Sequence, residues 1–397
     1  MSKPLENVKI LDLSRVLAGP FCTMLLSDLG AEVIKVEMPE KGDDSRQFGP
    51  FKNGRSLYFM SINRGKKSIS LNLKNPKGKE ILLKLVKNVD VLVENFRPGT
   101  MEKLGIGWDI LHKTNPKLIY AASSGFGHTG PYSNKPSYDI LAQAMGGIMS
   151  ITGWPEINKP TRVGMSIGDI TASLFTAIGI NAALYQRTFT GLGQKIDISM
   201  LDCQLAILEN AMLRYQVEGK PPKPIGNRHP TITPFQAFKA KDDYFVIGIG
   251  NDNLWIKLCE VIDHPELIND PRFINNKNRT TNIDILIPLL ENIFATKTVN
   301  EWCELFENSG IPHSPINTID KVMENPQLKA RNMFAEVFSP ETGKVIIAGN
   351  PIKMSSIPDE TNIREVPEIG QHNIDIYTHW LGLSEEDIIN LKKEGVI

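Results

Sequence analysis

The stretch that decides the fold runs from residue 8 to residue 37 and reads VKILDLSRVLAGPFCTMLLSDLGAEVIKVE. Its first part, Val8–Leu13, is a short apolar run typical of a buried strand, and Ala31–Glu37 is a second run of the same kind. Between them, Ala18-Gly19-Pro20 predicts a turn, and Phe21–Leu29 predicts a short helix that ends at Gly30. A strand, a helix and a strand within about thirty residues predict a right-handed βαβ unit with parallel strands.

The same alternation continues along the chain. Further strands are predicted at Lys67–Leu73, Asp90–Glu94 and Leu118–Ser123, and Asn75-Pro76 predicts the start of a helix over Lys77–Asn88. Strands this apolar are typical of a parallel sheet that is covered on both faces. The sequence therefore predicts an α/β domain with an open, parallel, Rossmann-like sheet.

Composition narrows the class of protein. The chain has 397 residues, of which 41% are hydrophobic and 22% charged, so we expect two to three globular domains. Lysine and arginine total 44 against 45 for aspartate and glutamate, which gives a net charge of −1. This balance argues against a nucleic-acid-binding protein and against a membrane-surface protein. We expect partners to be small molecules or other protein chains.

Targeting and redox signals point to the cytoplasm. Charges and a proline interrupt the first ten residues, where a signal peptide has its apolar core. The longest apolar stretch, Ile170–Tyr185, is too short and too polar to be predicted as a membrane span. The four cysteines are widely spaced and predict reduced thiols rather than disulfides or a zinc site; they are Cys22, Cys203, Cys259 and Cys303.

A proline-rich segment predicts a domain boundary. No helix or central strand tolerates five prolines in fourteen residues, here Pro221, Pro222, Pro224, Pro230 and Pro234. A second, smaller domain follows, with a strand at Tyr244–Gly248, a helix at Leu254–Ile262 and a helix that begins at Thr298, where Glu301 completes capping-box spacing. From the pattern alone, the late segments Val345–Met354 and Ser384–Lys393 belong to either domain.

Ligands of open parallel sheets bind beyond the carboxyl ends of the strands. The residues expected there are rich in backbone N–H groups and include an arginine and an amide, which suits a nucleotide-like ligand; they are Ser14–Leu17, Glu37, Asn95–Gly99 and Gly125–Gly130. Glu37 is placed to bind a ribose hydroxyl, but Pro20 and Phe21 stand where a GxGxxG turn needs glycine, which argues against a nicotinamide dehydrogenase.

Asp169 is the acidic residue of greatest interest. It lies directly before a long apolar helix that is predicted to run to about Arg187, where it is either an ordinary N-cap or a nucleophilic carboxylate open to close approach beside Gly168. His128 lies in the glycine-rich candidate ligand loop, and no histidine spacing predicts a metal site. The basic cluster Arg64–Lys67 is interpreted as a solvated surface.

Several motifs are spread over almost the whole chain: Leu11–Pro20, Gly30–Glu37, Asn63–Ile69, Glu94–Gly99, Gly168-Asp169, Gly226–Pro230 and Gly370–Asn373. In this order they resemble the motifs of the family III CoA-transferases, including those that act on short-chain dicarboxylates. The resemblance implies a large Rossmann-like domain over residues 1–222, completed by 331–397, and a small α+β domain over 223–330. It also implies a homodimer of interlocked rings.

The resemblance further implies an activity. Coenzyme A would move from an acyl-CoA donor to a small mono- or dicarboxylate acceptor, and Asp169 would form aspartyl anhydride and aspartyl-CoA thioester intermediates. Coenzyme A would be a substrate, with no tightly bound cofactor and no metal. An alternative of the same fold is a 2-methylacyl-CoA racemase, but Tyr138 stands where that enzyme has a catalytic histidine, and a phenol of ordinary pKa is a poor base near neutral pH. A non-catalytic CoA-binding protein is the third possibility.

Coenzyme contacts carry over from the family by position. Arg97 and Lys103 would contact the phosphates, and apolar positions would form the adenine pocket; the full set is Val16, Leu17, Leu71, Asn72, Leu73, Lys74, Asn95, Phe96, Arg97, Lys103 and Tyr138. The sequence departs from the formyl-CoA transferase pattern at Met38 and Lys103, which replace arginines, and lacks that enzyme's run of four glycines. These departures argue against formyl-CoA or oxalate as the substrate.

Overall fold

The computed structural model describes residues 3–157, 159–357 and 364–397. Residues 1–2, 158 and 358–363, which the predicted domain ranges include, lie outside the described residues. The strands are β1 Lys9–Asp12, β2 Glu32–Glu37, β3 Phe51–Lys52, β4 Arg55–Ser56, β5 Lys67–Ser70, β6 Val91–Glu94, β7 Ile119–Ser124, β8 Lys195–Ser199, β9 Phe235–Lys239, β10 Tyr244–Gly248, β11 His313–Pro315, β12 Phe334–Ser339, β13 Gly343–Ala348 and β14 Arg364–Glu365.

The helices follow the strands in alternation through the first part of the chain. They are α1 Ala18–Asp28, α2 Leu57–Asn63, α3 Pro76–Val86, α4 Thr100–Lys103, α5 Trp108–Thr114, α6 Asp139–Met145, α7 Ile148–Ile151, α8 Ile167–Thr190, α9 Met200–Ala206, α10 Ala211–Glu218, α11 Asp252–Val261, α12 Asn276–Thr281, α13 Ile283–Phe294, α14 Val299–Ser309, α15 Ile319–Glu324, α16 Pro326–Ala330, α17 Asn373–Leu381 and α18 Glu385–Lys393. In addition, 3₁₀ turns occur at Asp44–Gln47 and Pro265–Ile268.

A six-stranded parallel sheet forms the centre of the large unit, in the order β5-β2-β1-β6-β7-β8. Successive residues alternate between its two faces, so Leu11 and Leu92 join one buried apolar cluster while Ile10 and Val91 join another. This double burial explains why the strands are almost continuously apolar, as the sequence analysis predicted. The strand order reverses between β1 and β6, and in such sheets that reversal marks the ligand crevice.

The chain divides into two compact units. The large unit comprises residues 1–149, 162–214 and 326–397, and the small unit comprises 150–161 and 215–325. The late segments therefore belong with the large unit. The main difference from the predicted boundaries concerns residues 150–161, which were predicted in the large domain but belong to the small unit. No proline-rich segment like residues 221–234 marks this short excursion of the chain in the sequence.

Residues 364–397 complete the large unit through contacts with β5. The Ser70 N–H donates to Asn373 Oδ1 at 2.9 Å, and the Tyr377 hydroxyl donates to the Ser70 carbonyl at 2.7 Å. Ile376 and Tyr377 are fully buried in the cluster that covers one face of the sheet. The edge strand of the sheet is thus covered by a helix that lies some three hundred residues later in the sequence.

The small unit is built on the antiparallel sheet β11-β10-β9. Its core is aromatic, with Phe294 packed edge-on against Phe245 at 5.2 Å and against Trp302 at 5.3 Å between ring centroids. The predicted capping box is present, since the Thr298 side chain accepts from the Glu301 N–H and the Glu301 side chain accepts from the Thr298 N–H.

Buried charges support the carboxyl end of β1. Lys66 donates to Asp12 Oδ2 at 3.0 Å and to Asn63 Oδ1 at 2.8 Å, and the Lys66 and Asp12 side chains are both 0% exposed. Arg64 is also buried and pairs with Asp28 at 2.7 Å. The interpretation of Arg64–Lys67 as a solvated surface is therefore wrong for these two residues. Their partners lie far back in the sequence, so the local pattern carried no sign of burial.

Helix α8 is longer than the apolar stretch that was expected. It has 24 residues and a mean hydropathy of 1.4 over its most apolar window, so by length and composition it could cross a membrane. The sequence argument from length therefore does not hold for α8. The side that packs on the large unit consists of small or polar residues, namely Thr171, Ala172, Ser173, Thr176 and Ala183, together with Ile180.

The buried Lys66–Asp12 pair gives a test of stability. Lys66→Ala leaves Asp12 charged and buried without the cation that is hydrogen-bonded to it, so we expect a loss of about 3–5 kcal/mol in the free energy of unfolding. Lys77→Ala is the matched control, because the Lys77–Glu394 pair is exposed, and here we expect a change of about 1 kcal/mol or less. Urea denaturation measures both, and equal losses in the two variants would contradict the role of the buried pair.

Candidate active site

A cavity of about 350 Å³ opens beyond the carboxyl ends of β1, β2, β5 and β6. Its wall is mainly apolar, and charged groups stand among the apolar ones; the lining includes Leu13, Arg15, Lys35, Val36, Met38, Leu71, Leu73, Lys74, Phe96 and Leu104. Its position spans the reversal of strand order, where open α/β sheets bind their ligands. A cavity of this size and character suits the base and part of the phosphate chain of a nucleotide.

The structure brings some of the predicted coenzyme contacts together in this wall, namely Leu71, Leu73, Lys74 and Phe96. Met38, which stands where the resemblance expects an arginine, also lines the cavity. The others lie outside the wall, and they are Val16, Leu17, Asn72, Asn95, Arg97, Lys103 and Tyr138. Arg97 and Lys103 are exposed in the segment that follows β6, and Tyr138 is 74% exposed immediately before α6.

Asn95 fixes the loop that leads from β1 into α1. Its side-chain oxygen accepts from the Arg15 N–H at 2.8 Å, and its side-chain nitrogen donates to the Arg15 carbonyl at 2.7 Å. The next residue, Val16, has φ 68°, which is costly for a β-branched side chain. Its N–H donates to Asp43 Oδ1 at 3.1 Å, and Asp43 in turn forms a buried ion pair with Lys35 at 2.7 Å. These bonds hold a strained turn at the edge of the cavity.

Glu37 is not free to bind a ribose. Arg46 donates to both of its carboxylate oxygens, at 2.7 and 2.8 Å, and Ser68 donates to Glu37 Oε1 at 2.7 Å. Although burial opposes it, the bonds from Arg46 hold the pKa of Glu37 below its usual value. Glu37 is therefore a structural anion, which removes the remaining support for the dehydrogenase interpretation.

Asp169 occupies the third position of α8, and Ser166 occupies the N-cap position. The prediction that the helix begins directly after Asp169 was wrong by three residues, and the N-cap alternative was also wrong, because Ser166 holds that position. The side chain is partly buried, and among the described residues no donor bonds to its carboxylate. Burial, followed by the negative charge of Asp139, raises its pKa to about 7.

Asp139 orders the start of α8. It accepts from the Gly168 N–H at 2.8 Å and from the Gln143 side chain at 2.8 Å, and the Arg162 guanidinium lies 3.7 Å away. A Cβ on Gly168 would lie 3.0 Å from Asp139 Oδ1, so glycine is what allows this approach. The sequence analysis did not single out Asp139 for this positioning role.

His128 turns inward from its loop. Its Nδ1 lies 3.1 Å from Lys195 Nζ and its Nε2 lies 3.8 Å from Glu94 Oε1. Burial and then the charge of Lys195 lower the pKa of His128, which favours the neutral ring. Glu94 accepts from the Phe96 N–H at 2.7 Å, so this cluster supports the wall of the cavity.

The described residues contain no group of histidine, cysteine and acidic side chains that could hold a metal ion. Cys22, Cys203 and Cys259 are buried and Cys303 is partly buried, all of them as free thiols. Burial raises the pKa of Cys203 to about 11, which makes its thiol unreactive.

Comparison with known proteins identifies the family. The model of CoA-transferase family III matches residues 5–373. The chain belongs to this family. It is 45% identical over 369 residues to an acetyl-CoA:oxalate CoA-transferase of Acetobacter aceti, covering 93% of each chain. It is 42% identical over 396 residues to the succinyl-CoA:glutarate CoA-transferase of Mus musculus, covering 100% of this chain and 90% of the relative.

Solved structures agree with this assignment. A CaiB/BaiF family protein from Brucella suis superposes with a TM-score of 0.83 at 38% identity, over 96% of this chain and 100% of that one. The protein is thus an acyl-CoA:carboxylate CoA-transferase, and the predicted family, reaction class and α/β fold with a parallel sheet and a smaller domain are confirmed.

The raised pKa of Asp169 gives a test by pH. The ionised carboxylate forms as the pH rises through about 7, so we expect kcat/KM for the acyl-CoA donor to rise over this range and then level off. Asp139→Asn removes the neighbouring negative charge and should shift the midpoint to lower pH. Asp109→Asn, an exposed change in the first turn of α5, should leave the midpoint in place.

Stability should change with pH in the opposite direction. Because the folded protein holds the Asp169 proton more tightly than the unfolded chain does, this group's contribution is full below the unfolded pKa and is lost as pH rises through about 7. Asp169→Asn should therefore abolish this part of the pH dependence of unfolding. A midpoint that is identical in the wild type and Asp139→Asn would contradict the assigned cause.

Proposed function

We propose that Asp169 is the nucleophile of the transfer reaction. The observation that supports this is a partly buried carboxylate near the start of α8, with no bonded donor and with glycine beside it. A side chain that served only to cap the helix would have its oxygens occupied by backbone N–H groups. Asp169 instead leaves its oxygens available to an electrophile, and burial makes the anion less solvated and therefore more reactive.

The reaction would proceed in four covalent steps. First, an Asp169 oxygen attacks the donor thioester carbonyl, and the C–S bond breaks to give an acyl–aspartyl anhydride and the CoA thiolate. The thiolate then attacks the aspartyl carbonyl carbon, which releases the donor carboxylate and leaves an aspartyl-CoA thioester. The acceptor carboxylate attacks this thioester to form a second anhydride and release the thiolate. Attack of the thiolate on the acceptor acyl carbon yields the new acyl-CoA and restores Asp169.

Residues around Asp169 would contribute position rather than proton transfer. No step requires a general acid, because each attacking group is an anion and each leaving group is a thiolate or a carboxylate. Asp139 fixes the Gly168 N–H and thereby the backbone from which Asp169 projects. Its own charge disfavours the Asp169 anion before reaction, and this repulsion is relieved when the first acyl bond forms.

We propose small dicarboxylates as the acceptors and their short-chain thioesters as the donors. The support is the pair of relatives at more than 40% identity that act on oxalate or on glutarate. The acetyl-CoA:oxalate relative also returns oxalate to consideration, against the expectation from Met38 and Lys103. Coenzyme A is a substrate in this scheme, whereas the lack of a tightly bound cofactor and a cytoplasmic location stay predictions.

We also propose that the protein acts as a homodimer, with the interlocked arrangement of the resemblance. The support is α8, whose large apolar side chains face outward while its small ones face the large unit. Leu174, Ile178, Tyr185 and Phe189 are 44%, 63%, 68% and 70% exposed along one side of the helix. An apolar stripe of this length is typical of a surface that is covered by another chain.

Chemical trapping tests the nucleophile. We expect hydroxylamine, added during turnover, to convert Asp169 to a hydroxamate that mass spectrometry locates on its peptide. Asp169→Ala should give no adduct and should lower the transfer rate by at least about 10⁴-fold, while its affinity for CoA changes little. Comparing succinyl-, acetyl- and formyl-CoA as donors, with oxalate, succinate and glutarate as acceptors, ranks the substrates in the same assay.

Two outcomes, the second from a separate assay in deuterated water, would count against the proposal. Normal turnover by Asp169→Ala would exclude the covalent scheme. Incorporation of solvent deuterium into a 2-methylacyl-CoA, without transfer of CoA, would instead favour the racemase. Asp202→Ala, an exposed change in α9, controls for loss of a first-turn carboxylate in the same unit.

Light scattering tests the dimer. We expect the wild type to have twice the mass of one chain and Ile178→Glu to shift toward a single chain, because the new charge would be buried against the partner. Ile389→Glu is the matched control, since Ile389 is 53% exposed on α18, and it should leave the mass unchanged. A wild type with the mass of one chain would contradict the proposal.

A further inference from the structure

Arg15 is a cation at the cavity to which the family resemblance assigns no role. Its side chain lines the cavity, is 51% exposed, and lies over the ring of Phe96 with 5.5 Å between the guanidinium carbon and the ring centroid. Within the described part of the chain it forms one ion pair, with Asp44 at 3.1 Å, and this pair is weak because both side chains are exposed. The guanidinium is therefore held near the cavity by stacking but remains available to an incoming anion.

The other cations near the cavity are placed differently. Lys35 is fully buried, and its ammonium group is committed to Asp43 at 2.7 Å and to the Ser14 carbonyl at 2.9 Å. Lys74 contributes a flexible point charge, whereas Arg97 and Lys103 do not line the cavity. Among the described lining residues, Arg15 alone supplies a planar guanidinium, the group whose geometry matches two oxygens of a phosphate.

The backbone of Arg15 is set in place without help from its side chain. Both bonds from Asn95 are made to the Arg15 main chain, and Val16 is held by Asp43. A change of the Arg15 side chain should therefore leave the turn intact. The architecture fixes the point from which the guanidinium extends and leaves only its outer end to respond to a ligand.

We propose that Arg15 binds a phosphate group of the acyl-CoA substrate, exchanging its contact with Asp44 for the phosphate. This inference rests on the proposed transfer of CoA, and it assigns to Arg15 the bidentate contact that Met38 and Lys103 cannot provide. The apolar wall beside Phe96 receives the base, and Arg15 binds the phosphates at the rim. When no substrate is bound, the Arg15 guanidinium is paired with the Asp44 carboxylate.

The test compares thioesters of one acyl group that lack either the 3′-phosphate or the whole nucleotide. Succinyl-CoA, its 3′-dephospho analogue and succinyl-pantetheine, which lacks the nucleotide, serve as donors for the wild type, Arg15→Lys and Arg15→Ala. Arg15→Ala should raise KM for succinyl-CoA by about 10–100-fold with little change in kcat, and Arg15→Lys should be intermediate. With succinyl-pantetheine the three proteins should have similar kcat/KM.

The comparison of succinyl-CoA with its 3′-dephospho analogue shows which phosphate Arg15 contacts. If the variant loses affinity only for succinyl-CoA, Arg15 contacts the 3′-phosphate; if it loses affinity equally for the dephospho analogue, Arg15 contacts the diphosphate. Asp44→Asn should lower KM for succinyl-CoA several-fold, because it removes the competing carboxylate. Arg272→Ala is the matched control, since Arg272 is also 51% exposed and paired with an aspartate at 2.6 Å, and it should change no KM.

Two results would overturn the proposal: an unchanged KM for succinyl-CoA in Arg15→Ala, or an equal loss with succinyl-pantetheine, which would place the effect outside the nucleotide. Calorimetric binding of CoA and dephospho-CoA to the same variants requires no turnover. The binding measurement therefore tests the Arg15 contact separately from the proposed reaction. Even if the protein has no transfer activity, the affinity for CoA can be compared between the wild type and the Arg15 variants.

Discussion

The ion pair between Lys66 and Asp12 is the interaction on which the site depends. Asp12 ends the central strand, and its carboxylate accepts from the N–H and hydroxyl of Ser14 and from the Thr23 hydroxyl at 2.6 Å. One buried anion thus fixes both the chain that leaves β1 and the helix α1 that follows. Although burial opposes it, Lys66 and Lys35 keep the pKa of Asp12 below its usual value. Without these cations, the carboxylate would be too costly to bury.

From this point, the order of the site extends outward through side chains that bond to backbone. Asp43 and Asn95 hold the turn at Arg15 and Val16 in a conformation with a positive φ at Val16, which is unfavourable for a valine. Asp139 likewise fixes the backbone at the start of α8, where it accepts from the Gly168 N–H. Asp169, the proposed nucleophile, and Arg15, the proposed phosphate ligand, therefore extend from backbone that is fixed by side-chain bonds, which restricts where their side chains can reach.

Much of the fold could be predicted from local sequence, because the parallel strands are apolar runs bounded by turn residues. The helix bounds were accurate to a few residues, and the capping box at Thr298 was confirmed. The predictions that failed depend on contacts between residues that are far apart in the sequence. Lys66 was predicted to be solvated because its partner, Asp12, lies far from it in the sequence. Helix α8 begins earlier than predicted because Asp139, in another helix, accepts from the Gly168 N–H. The family motifs located Asp169, but only coordinates show which of the predicted coenzyme contacts, such as Leu71 and Phe96, share a wall.

The path of the chain through the large unit has a consequence for how the protein is made. Ser70 bonds to Asn373, which lies 303 residues later, so β5 is synthesised long before the helix that covers it. At typical translation speeds of about 5–20 residues per second, this edge stays uncovered for roughly 15–60 s. The intervening small unit has its own aromatic core and can fold during that interval. Until residues 372–377 are made, β5 is therefore an uncovered sheet edge, and an uncovered edge can pair with a strand of another chain.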